Sequence, residues 1–304
     1  MSGQYHIPVL LHAGVQALLT NVDGIYADAT FGGGGHSKEI LKQLGPNGKL
    51  FCFDVDPEAK QNFISDLSAT QATFIPQNFR YMQKFLRVEG VQQVDGIFAD
   101  LGVSSRQFDA AERGFSFRYD APLDMRMGTA THSAFEVINT YPEEQLKNIF
   151  SLYGQVRNAK QLAHILCNAR TKLNGGIQTT FQLRDIATSV VKGELHNYLA
   201  TVFQALRIEV NDEMGALREL LESSVQMLKP GGRIVVISYH SLEDRMVKNM
   251  LRTGNVYGDA EEDMRGVKPS PFTVITRKPV LPDADEIRKN SRSRSAKMRV
   301  GERR

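Results

Sequence analysis

The chain has 304 residues, of which 41% are hydrophobic and 23% charged, and its net charge is +3. This composition is typical of a globular protein, and neither a membrane span nor a signal peptide is expected from any apolar run. The two cysteines, Cys52 and Cys167, lack CxxC spacing, which favours buried thiols in a reducing cytoplasm over a disulfide or a metal site.

The first hundred residues alternate strand and helix patterns. Pro57 stands where it would open a helix after the second strand. Strands separated by helix-length segments imply a parallel sheet with right-handed crossovers. The predicted strands are residues 24–30, 49–56, 72–76 and 94–102.

The pattern becomes helical from Ser133, which has capping-box spacing to Glu136. Apolar faces then recur with helical period; one of them contains Ala159, Leu162, Ala163, Leu166 and Leu173. A long helix, a fifth strand and a late strand follow, which indicates an α/β sheet with a helical insertion. The predicted bounds are 1–104 and 209–285 for the core, 105–208 for the insertion, 286–304 for a basic tail, about 212–228 for the long helix and 272–278 for the late strand.

The positive charge is concentrated at the end of the chain. Residues 288–304 carry eight Lys or Arg and one acid, Glu302, whereas the rest has 29 basic and 33 acidic residues. A near-neutral body with a basic tail favours a polyanionic partner, most simply a nucleic acid on which the tail becomes ordered. Deletion after Asp285 is therefore expected to weaken nucleic-acid binding and flatten its salt dependence.

A glycine-rich stretch, DATFGGGGHS, occupies residues 28–37, directly after the first predicted strand. Glycines there let the backbone approach a ligand, and the next helix presents its first amides. A P-loop needs Gly-Lys-Ser/Thr, which is absent. The dinucleotide pattern GxGxxG lacks its third glycine from either Gly32 or Gly33. Both phosphate-binding readings are thereby weakened.

Acidic residues end the second and fourth predicted strands. Asp54 lies 22 residues after Gly32, where an acid typically receives the ribose hydroxyls of an adenosine cofactor. That position fits NAD and S-adenosylmethionine alike. Asp100 stands at the carboxyl edge of the sheet, where it could face a sulfonium cation or accept a hydrogen bond from an amino group. Taken singly, either aspartate could instead cap a helix or turn.

Six longer motifs run through nearly the whole chain. They are TFGGGGHS (30–37), DVDP (54–57), DLGVSSRQFDAAERGFSFRYDAPLDMRM (100–127), GQVRNAKQLAHIL (154–166), KPGGRIVVISYHSLEDRMVK (229–248) and KNSRSRSAKMRVGERR (289–304). In content and order they resemble the bacterial small-subunit (16S) ribosomal RNA (cytosine-N4)-methyltransferases. The long central block and HSLEDR are the most specific parts of the resemblance.

The resemblance implies a Rossmann-like class I methyltransferase fold with a helical insertion, S-adenosylmethionine as cofactor, and a cytosine in the decoding region of 16S rRNA as target. The insertion would hold RNA or an assembled small ribosomal subunit. No metal and no membrane partner are expected, and the sequence leaves monomer and homodimer open. Matching positions imply cofactor contacts at Gly34, Gly35, His36, Asp54, Phe79, Asp100 and Gln107.

Methyl transfer to an amino nitrogen is a direct displacement, so the protein mainly supplies alignment and electrostatics. An acceptor for the N4 protons would help to localise the nitrogen lone pair, and Asp100 is the first candidate. Tyr239 and His240 end the fifth strand, where either could stack on or hydrogen-bond the cytosine. Ser241 is predicted as the N-cap of the next helix, with Asp244 at the capping-box position.

Asp124 and Arg126, in the central block, are assigned a substrate-side or loop-ordering role, with a buried structural ion pair as the alternative. Methylation of cytosine C5 would need a thiol nucleophile, and neither cysteine is predicted at a strand edge. Two other functions compete with the methyltransferase. A nicotinamide oxidoreductase is weakened by the missing third glycine, and a non-catalytic ribosome-assembly factor would be favoured by an altered glycine loop.

Overall fold

The computed structural model describes residues 8–66, 71–102, 111–128, 130–259, 262–263, 266–267 and 269–304. The chain forms two compact units. Unit 1 comprises Met1–Gly102 and Met214–Arg304, and unit 2 comprises Val103–Glu213. No helix among the described residues is long and apolar enough to span a membrane.

A seven-stranded sheet forms the body of unit 1. Its strands are β1 (Ile25–Asp28), β2 (Lys49–Phe53), β3 (Ala72–Ile75), β4 (Val94–Asp100), β5 (Leu228–Ser238), β6 (Phe272–Val274) and β7 (Lys297–Arg303). Their order is β3-β2-β1-β4-β5-β7-β6. The first five strands in this order are parallel, and β7 is antiparallel to both its neighbours. The first four predicted strands and the late strand are confirmed, each shorter than its apolar run. A separate two-stranded pair joins Glu262–Asp263 to Gly266–Val267.

Twelve helices of the described residues complete the two units. Unit 1 contains α1 (Leu11–Leu18), α2 (Gly35–Gln43), α3 (Pro57–Asp66), α4 (Met82–Val88), α10 (Glu213–Met227, whose first residue belongs to unit 2), α11 (Ser241–Thr253) and α12 (Ala284–Lys289). Unit 2 contains α5 (Ala134–Thr140), α6 (Glu143–Leu152), α7 (Ala159–Lys172), α8 (Thr180–Thr188) and α9 (Leu195–Asn211). Short 3₁₀ turns lie at Phe79–Tyr81, Ala111–Arg113 and Ser291–Ser295.

The sheet of unit 1 is buried on both faces. On β2, Leu50 and Cys52 pack on one face and Phe51 and Phe53 on the other, all with 5% exposure or less. Residues of α1, α2 and α3 pack on the first face, and residues of α4, α10 and α11 on the second. Burial on both faces explains the unbroken apolar run of β2, because neither set of alternating side chains meets water.

Unit 2 is built from helices with the predicted apolar faces. Ser133 caps α5 in a capping box with Glu136, as predicted. On α7 the residues Leu162, Ala163 and Leu166 are fully buried in the core of this unit. The prediction is wrong at Leu173, which is 36% exposed because α7 ends one residue before it.

The end of the chain corrects a prediction. Residues 286–304 are expected to form a basic tail, but Lys297–Arg303 is strand β7, which pairs with β5 over six residues. Met298 and Val300 are buried at 2% and 1% exposure, and the intervening arginine, Arg299, pairs with Asp244. The strand is difficult to recognise in the sequence, because its buried apolar residues, Met298 and Val300, alternate with Lys and Arg.

Candidate functional site

The predicted site residues of unit 1 converge on the carboxyl edge of the sheet. The chain passes from β1 to β2 and β3 on one side, then returns to β4 on the other side of β1. Open α/β sheets bind ligands at such a reversal point, outside the carboxyl ends of the strands. Asp28 ends β1, Asp54 follows β2, Asp100 ends β4 and Tyr239 follows β5.

The glycine loop makes a tight turn from β1 into α2. Gly34 is the residue before α2 and has φ +74°, a left-handed conformation that costs other residues free energy. Gly35 is required for another reason, since a Cβ there would overlap the ring of Pro8. A Cβ at Gly33, by contrast, would meet no described heavy atom within 4 Å, so this side of the loop is open.

Asp28, to which the sequence analysis gave no role, organises this loop. Its carboxylate is 1% exposed and accepts hydrogen bonds from the Thr30 amide at 3.0 Å and the Ser37 hydroxyl at 2.6 Å. Burial raises the pKa of Asp28 to about 6, against the opposing effect of these hydrogen bonds. The only available signal was its position, directly after an apolar strand and before the glycines.

Asp54 ties the glycine loop to β2. Its Oδ2 accepts the Gly32 amide at 2.7 Å, and its Oδ1 accepts the Asp56 amide at 2.8 Å. Burial raises the pKa of Asp54, while these two amides lower it. Each carboxylate oxygen has a second lone pair, so both can still accept a hydroxyl hydrogen from a ligand.

Asp100 is the centre of the arrangement. Its side chain is 20% exposed, its amide donates to the Thr30 hydroxyl at 2.7 Å, and its Oδ1 accepts the Tyr239 hydroxyl at 2.7 Å. Burial raises the pKa of the Tyr239 phenol, so it stays protonated as the donor. The structure thus joins two of the predicted catalytic residues directly.

Glu243 holds the end of β5 in place. Its Oε2 accepts the amides of Tyr239 at 2.8 Å and His240 at 3.2 Å, and the residue is 3% exposed. Two consecutive amides fixed by one carboxylate define the backbone from which Tyr239 reaches Asp100. Nothing in the sequence distinguished this glutamate from a surface residue of α11.

The N-cap of α11 corrects the prediction of Ser241 and Asp244. The cap residue is His240, whose Nδ1 accepts the Glu243 amide at 3.4 Å, and Glu243 completes the capping box. Asp244 is instead bound to Arg299, with Nε to Oδ1 at 2.6 Å and Nη2 to Oδ2 at 3.2 Å. Both registers have the same i to i+3 spacing, and the tertiary pairing of Asp244 selects one.

The two histidines differ in their relation to Asp100. The His36 ring packs on Phe98, its Nε2 lies 3.0 Å from the Val9 carbonyl, and its Nδ1 is 3.8 Å from Asp100 Oδ2. The His240 ring is 8% exposed, with Nε2 3.2 Å from Glu243 Oε1. Among the described residues, no hydrogen bond or ion pair joins His240 to Asp100.

The remaining predicted contacts have separate positions. Phe79 begins the 3₁₀ turn after β3, where its half-buried ring packs against the core beside α4. This leaves part of the ring accessible. Gln107 lies outside the described residues.

The site is strongly acidic in character. Burial is the main reason that the pKa of Asp100 rises to about 7 from its ordinary 3.8. The Tyr239 hydrogen bond opposes the rise, and the charges of Asp28, Glu243 and Glu286 add to it. Glu286, from the far end of the chain, accepts the Leu10 amide at 2.6 Å. Carboxylates gathered in this way favour a positively charged ligand.

Asp124 and Arg126 form a bidentate ion pair in unit 2, with Arg126 Nε to Asp124 Oδ1 at 2.6 Å and Nη2 to Oδ2 at 3.1 Å. Their side chains are 37% and 43% exposed, so the alternative of a buried ion pair is wrong. Between them, Met125 is fully buried with φ +61°. The pair orders this turn and lines a cleft of about 350 Å³ with Phe135 and Gln178.

Known proteins resemble this chain over almost its whole length. A profile of the MraW methylase family matches residues 3–304. The chain is 52% identical over 301 residues to the "Ribosomal RNA small subunit methyltransferase H" of Bacteroides thetaiotaomicron, covering 98% of this chain and 97% of that protein. The proteins of the same name from Cytophaga hutchinsonii and Bacteroides fragilis are 52% and 51% identical to this chain. Both matches cover 98% of this chain, and they cover 99% and 97% of the two proteins, respectively.

Proposed function

This chain belongs to the MraW methylase family, and from that premise we propose that it methylates the N4 amino group of a cytosine in 16S ribosomal RNA, using S-adenosylmethionine. The reaction class is supported by relatives that bear the name of a small-subunit rRNA methyltransferase. They are about 50% identical to this chain over 98% of its length. The position of Asp100, held at the sheet edge by Tyr239, carries the assignment of the site.

The residues present fit the proposed cofactor. S-adenosylmethionine supplies an electrophilic methyl group on a sulfonium cation, and acids around Asp100 favour such a charge. Asp54 can accept the ribose hydroxyls with the lone pairs that its two amide contacts leave. The glycine loop at Gly34 and Gly35, the start of α2 at His36 and the exposed part of the Phe79 ring are the other proposed contacts.

Asp100 is proposed as the acceptor for the amino group. Because Tyr239 occupies Oδ1, we assign Oδ2 to the N4 hydrogen of the cytosine. A hydrogen bond to this oxygen draws the nitrogen lone pair out of conjugation with the ring and aligns it for displacement. Tyr239 acts by orienting the carboxylate and keeping it ionised. His240 is proposed to act through the same backbone segment, since its ring caps α11.

The state of the two cysteine thiols argues against methylation at carbon C5. Cys52 is fully buried within β2, and burial raises the pKa of its thiol. Cys167 is partly buried on α7, and burial raises its pKa too. A covalent mechanism needs a reactive thiolate, whereas raised pKa values keep both groups as thiols.

The proposal also gives unit 2 a role in RNA binding and assigns the reaction to a cellular compartment. A separate helical unit of Val103–Glu213 is suited to hold RNA within an assembled small ribosomal subunit, in the decoding region. We place the reaction in the cytoplasm, where the two free cysteines stay reduced.

The proposal is tested by mapping methylated nucleotides after incubation with S-adenosylmethionine. Unmethylated 16S rRNA and small subunits that contain it are the two substrates. N4-methylcytidine and C5-methylcytidine have equal mass, so the nucleosides must be separated chromatographically against standards. We expect N4-methylcytidine at one decoding-region position, with a higher yield on subunits. A C5 product, or no product on either substrate, would refute the function.

The pH dependence of catalysis is expected to report the ionisation of Asp100 and the effect of its hydrogen bond with Tyr239. The acceptor is the carboxylate, so kcat/KM for S-adenosylmethionine should rise with pH through about 7. Tyr239→Phe removes a hydrogen bond that lowers the Asp100 pKa, so the midpoint should move upward by about one pH unit. Activity at pH 7 then falls roughly fivefold and recovers at pH 9.

The exposed Tyr257 provides the matched control, and Tyr257→Phe should leave the profile unchanged. An equal loss for Tyr239→Phe at every pH would contradict the orienting role.

A further inference from the structure

Two classes of cation can be distinguished at the end of the chain. Arg299 is buried at 7% exposure, and its Nε and Nη2 both donate to Asp244. Arg303 donates to the main-chain carbonyls of Val225 and Pro271. These two arginines are committed to the fold of unit 1. Their charge is therefore already compensated or directed inward, and it is not offered to a partner.

The second class forms a basic turn, which we define as Arg288, Lys289 and Arg294. All three residues are exposed, at the end of α12 and in the following 3₁₀ turn. They form a compact cationic surface on a structured part of unit 1.

Small polar residues, not the arginines, build the backbone of this turn. Asn290 Oδ1 accepts the Arg292 amide at 3.2 Å, and the hydroxyl of fully buried Ser293 donates to the Asn290 carbonyl at 2.7 Å. The Ala296 amide then donates to the Ser293 carbonyl at 2.8 Å. Because Ser293 faces inward, its neighbours Arg292 and Arg294 are held outward. The cations are thus presented by a preformed turn, which reduces the entropy lost on binding.

Asp285, an acid on the same helix, does not neutralise the basic turn strongly. Arg288 pairs with Asp285, but the two side chains are 75% and 68% exposed. Ion pairs so accessible to water contribute little free energy, and a phosphate can replace the carboxylate. The arrangement contrasts with the buried Arg299–Asp244 pair of the same segment.

The basic turn adjoins the reaction edge. Glu286 lies in α12, one helical turn before Asn290, and its carboxylate binds the Leu10 amide. The same carboxylate is one of the charges that act on Asp100 and Tyr239. Glu286, in the first half of α12, therefore acts on the site, and the cations at the end of this helix continue into the turn.

We propose that the basic turn binds phosphates of the RNA that flank the target cytosine. The inference rests on the proposed function for the identity of the RNA. Acids at the site would repel the phosphate backbone, and cations beside it supply the compensating attraction. The base then enters the acidic site while its flanking backbone is held outside it.

The test compares two triple variants with equal loss of charge. The first is Arg288→Gln, Lys289→Gln and Arg294→Gln; Arg292 stays in place. The matched control is Lys60→Gln, Lys84→Gln and Arg87→Gln, which removes three exposed cations from α3 and α4 of the same unit. Binding of an unmethylated 16S rRNA transcript is measured from 50 to 300 mM KCl without cofactor.

For the basic-turn variant, we expect the slope of log affinity against log salt to become shallower by about 2, since each phosphate contact contributes roughly 0.7 to 0.9. KM for the RNA should rise about tenfold, with cofactor affinity unchanged. The control should match the wild type. Should the triple variant unfold, Lys289→Glu alone is measured in its place.

Equal slopes for the two triple variants would overturn the inference while leaving the methyltransferase function intact. A wild type that binds RNA with the expected slope difference but forms no N4-methylcytidine would refute the function and not the surface. Loss of binding to phosphatidylserine vesicles, without loss of RNA binding, would assign the turn to a membrane and overturn the proposal.

Discussion

Asp100→Asn is expected to slow methyl transfer severely and, at the same time, to stabilise the cofactor-free protein above pH 7. An amide cannot act as the charged acceptor for the N4 hydrogen, so kcat should fall by about 10² to 10⁴. The amide oxygen still accepts the Tyr239 hydroxyl and the backbone contact to Thr30 remains, so the fold is kept.

The stability gain follows from the raised pKa of Asp100. The native carboxyl binds a proton up to about pH 7, whereas the unfolded carboxyl loses it near 3.8. Wild-type stability therefore falls as the pH rises from about 4 through 7, because the native state then holds more protons than the unfolded state. Asparagine removes this dependence, and the gain above pH 7 is on the order of 2 to 4 kcal/mol.

Urea unfolding at pH 5 and pH 8.5, together with single-turnover methylation, measures both effects. Asp95, near the other end of strand β4, provides a matched control. Its Oδ2 accepts hydrogen bonds from the Ile25 amide at 2.8 Å and from Lys229 Nζ at 2.7 Å. Asp95→Asn should lower stability and leave methylation nearly unchanged. An Asp100→Asn protein with wild-type activity, or one less stable than the wild type at pH 8.5, would contradict the assignment.

Deletion of residues 286–304 is expected to unfold unit 1. The sequence predicts only weaker RNA binding with a flatter salt dependence, but β7 lies between β5 and β6 in the sheet. Removing it takes away Met298 and Val300 at about 2 kcal/mol or more each and leaves Asp244 without Arg299, at about 3 to 5 kcal/mol. The sum approaches the whole stability of a typical domain.

Thermal unfolding followed by circular dichroism, with limited proteolysis, distinguishes the outcomes. We expect the truncated chain to lack a cooperative transition of unit 1 and to be cleaved rapidly within the sheet. Removal of Arg304 alone is the control and should leave the transition temperature unchanged. A truncated protein that unfolds cooperatively at the wild-type temperature would show that β7 is dispensable. The charge variants of the basic turn are thus the suitable test of RNA binding.

An acidic site for a cationic cofactor raises the pKa of Asp100, and these experiments would detect that effect. Burial and neighbouring carboxylates make Asp100 hold a proton near neutral pH in the protein alone. A bound sulfonium would favour the carboxylate and lower its pKa, so cofactor binding and readiness to accept the amino hydrogen are coupled. Such coupling prevents the full charge from developing before the electrophile is present.

Prediction from the sequence succeeded where local pattern and fold topology coincide. Apolar runs fixed the positions of the first strands, and the ends of those runs placed Asp54 and Asp100 at one edge. The edge follows from parallel pairing, which brings the carboxyl ends of successive strands together. Tyr239 was found by the same rule at the end of β5.

Prediction failed where residues distant in the chain decide the outcome. Glu286 reaches a residue 276 positions away, and no local spacing signals that contact. Arg299 selects the register of the cap on α11 by taking Asp244, which leaves Glu243 for His240 and Tyr239. Charge also masked β7, since its cations are either paired or at the end of the strand.

The sequence by itself determined the α/β class, the helical insertion, the glycine loop and the aspartates at the strand ends, because these depend on periodicity and on the rules of parallel sheets. Only the tertiary structure decided that the basic end of the chain is partly a sheet strand, that the charges of Asp28, Glu243 and Glu286 act on Asp100, and which cations remain on the surface. The reason is physical: burial and pairing set the charge state of a carboxyl and the accessibility of an arginine, and both are created by contacts between segments far apart in the chain.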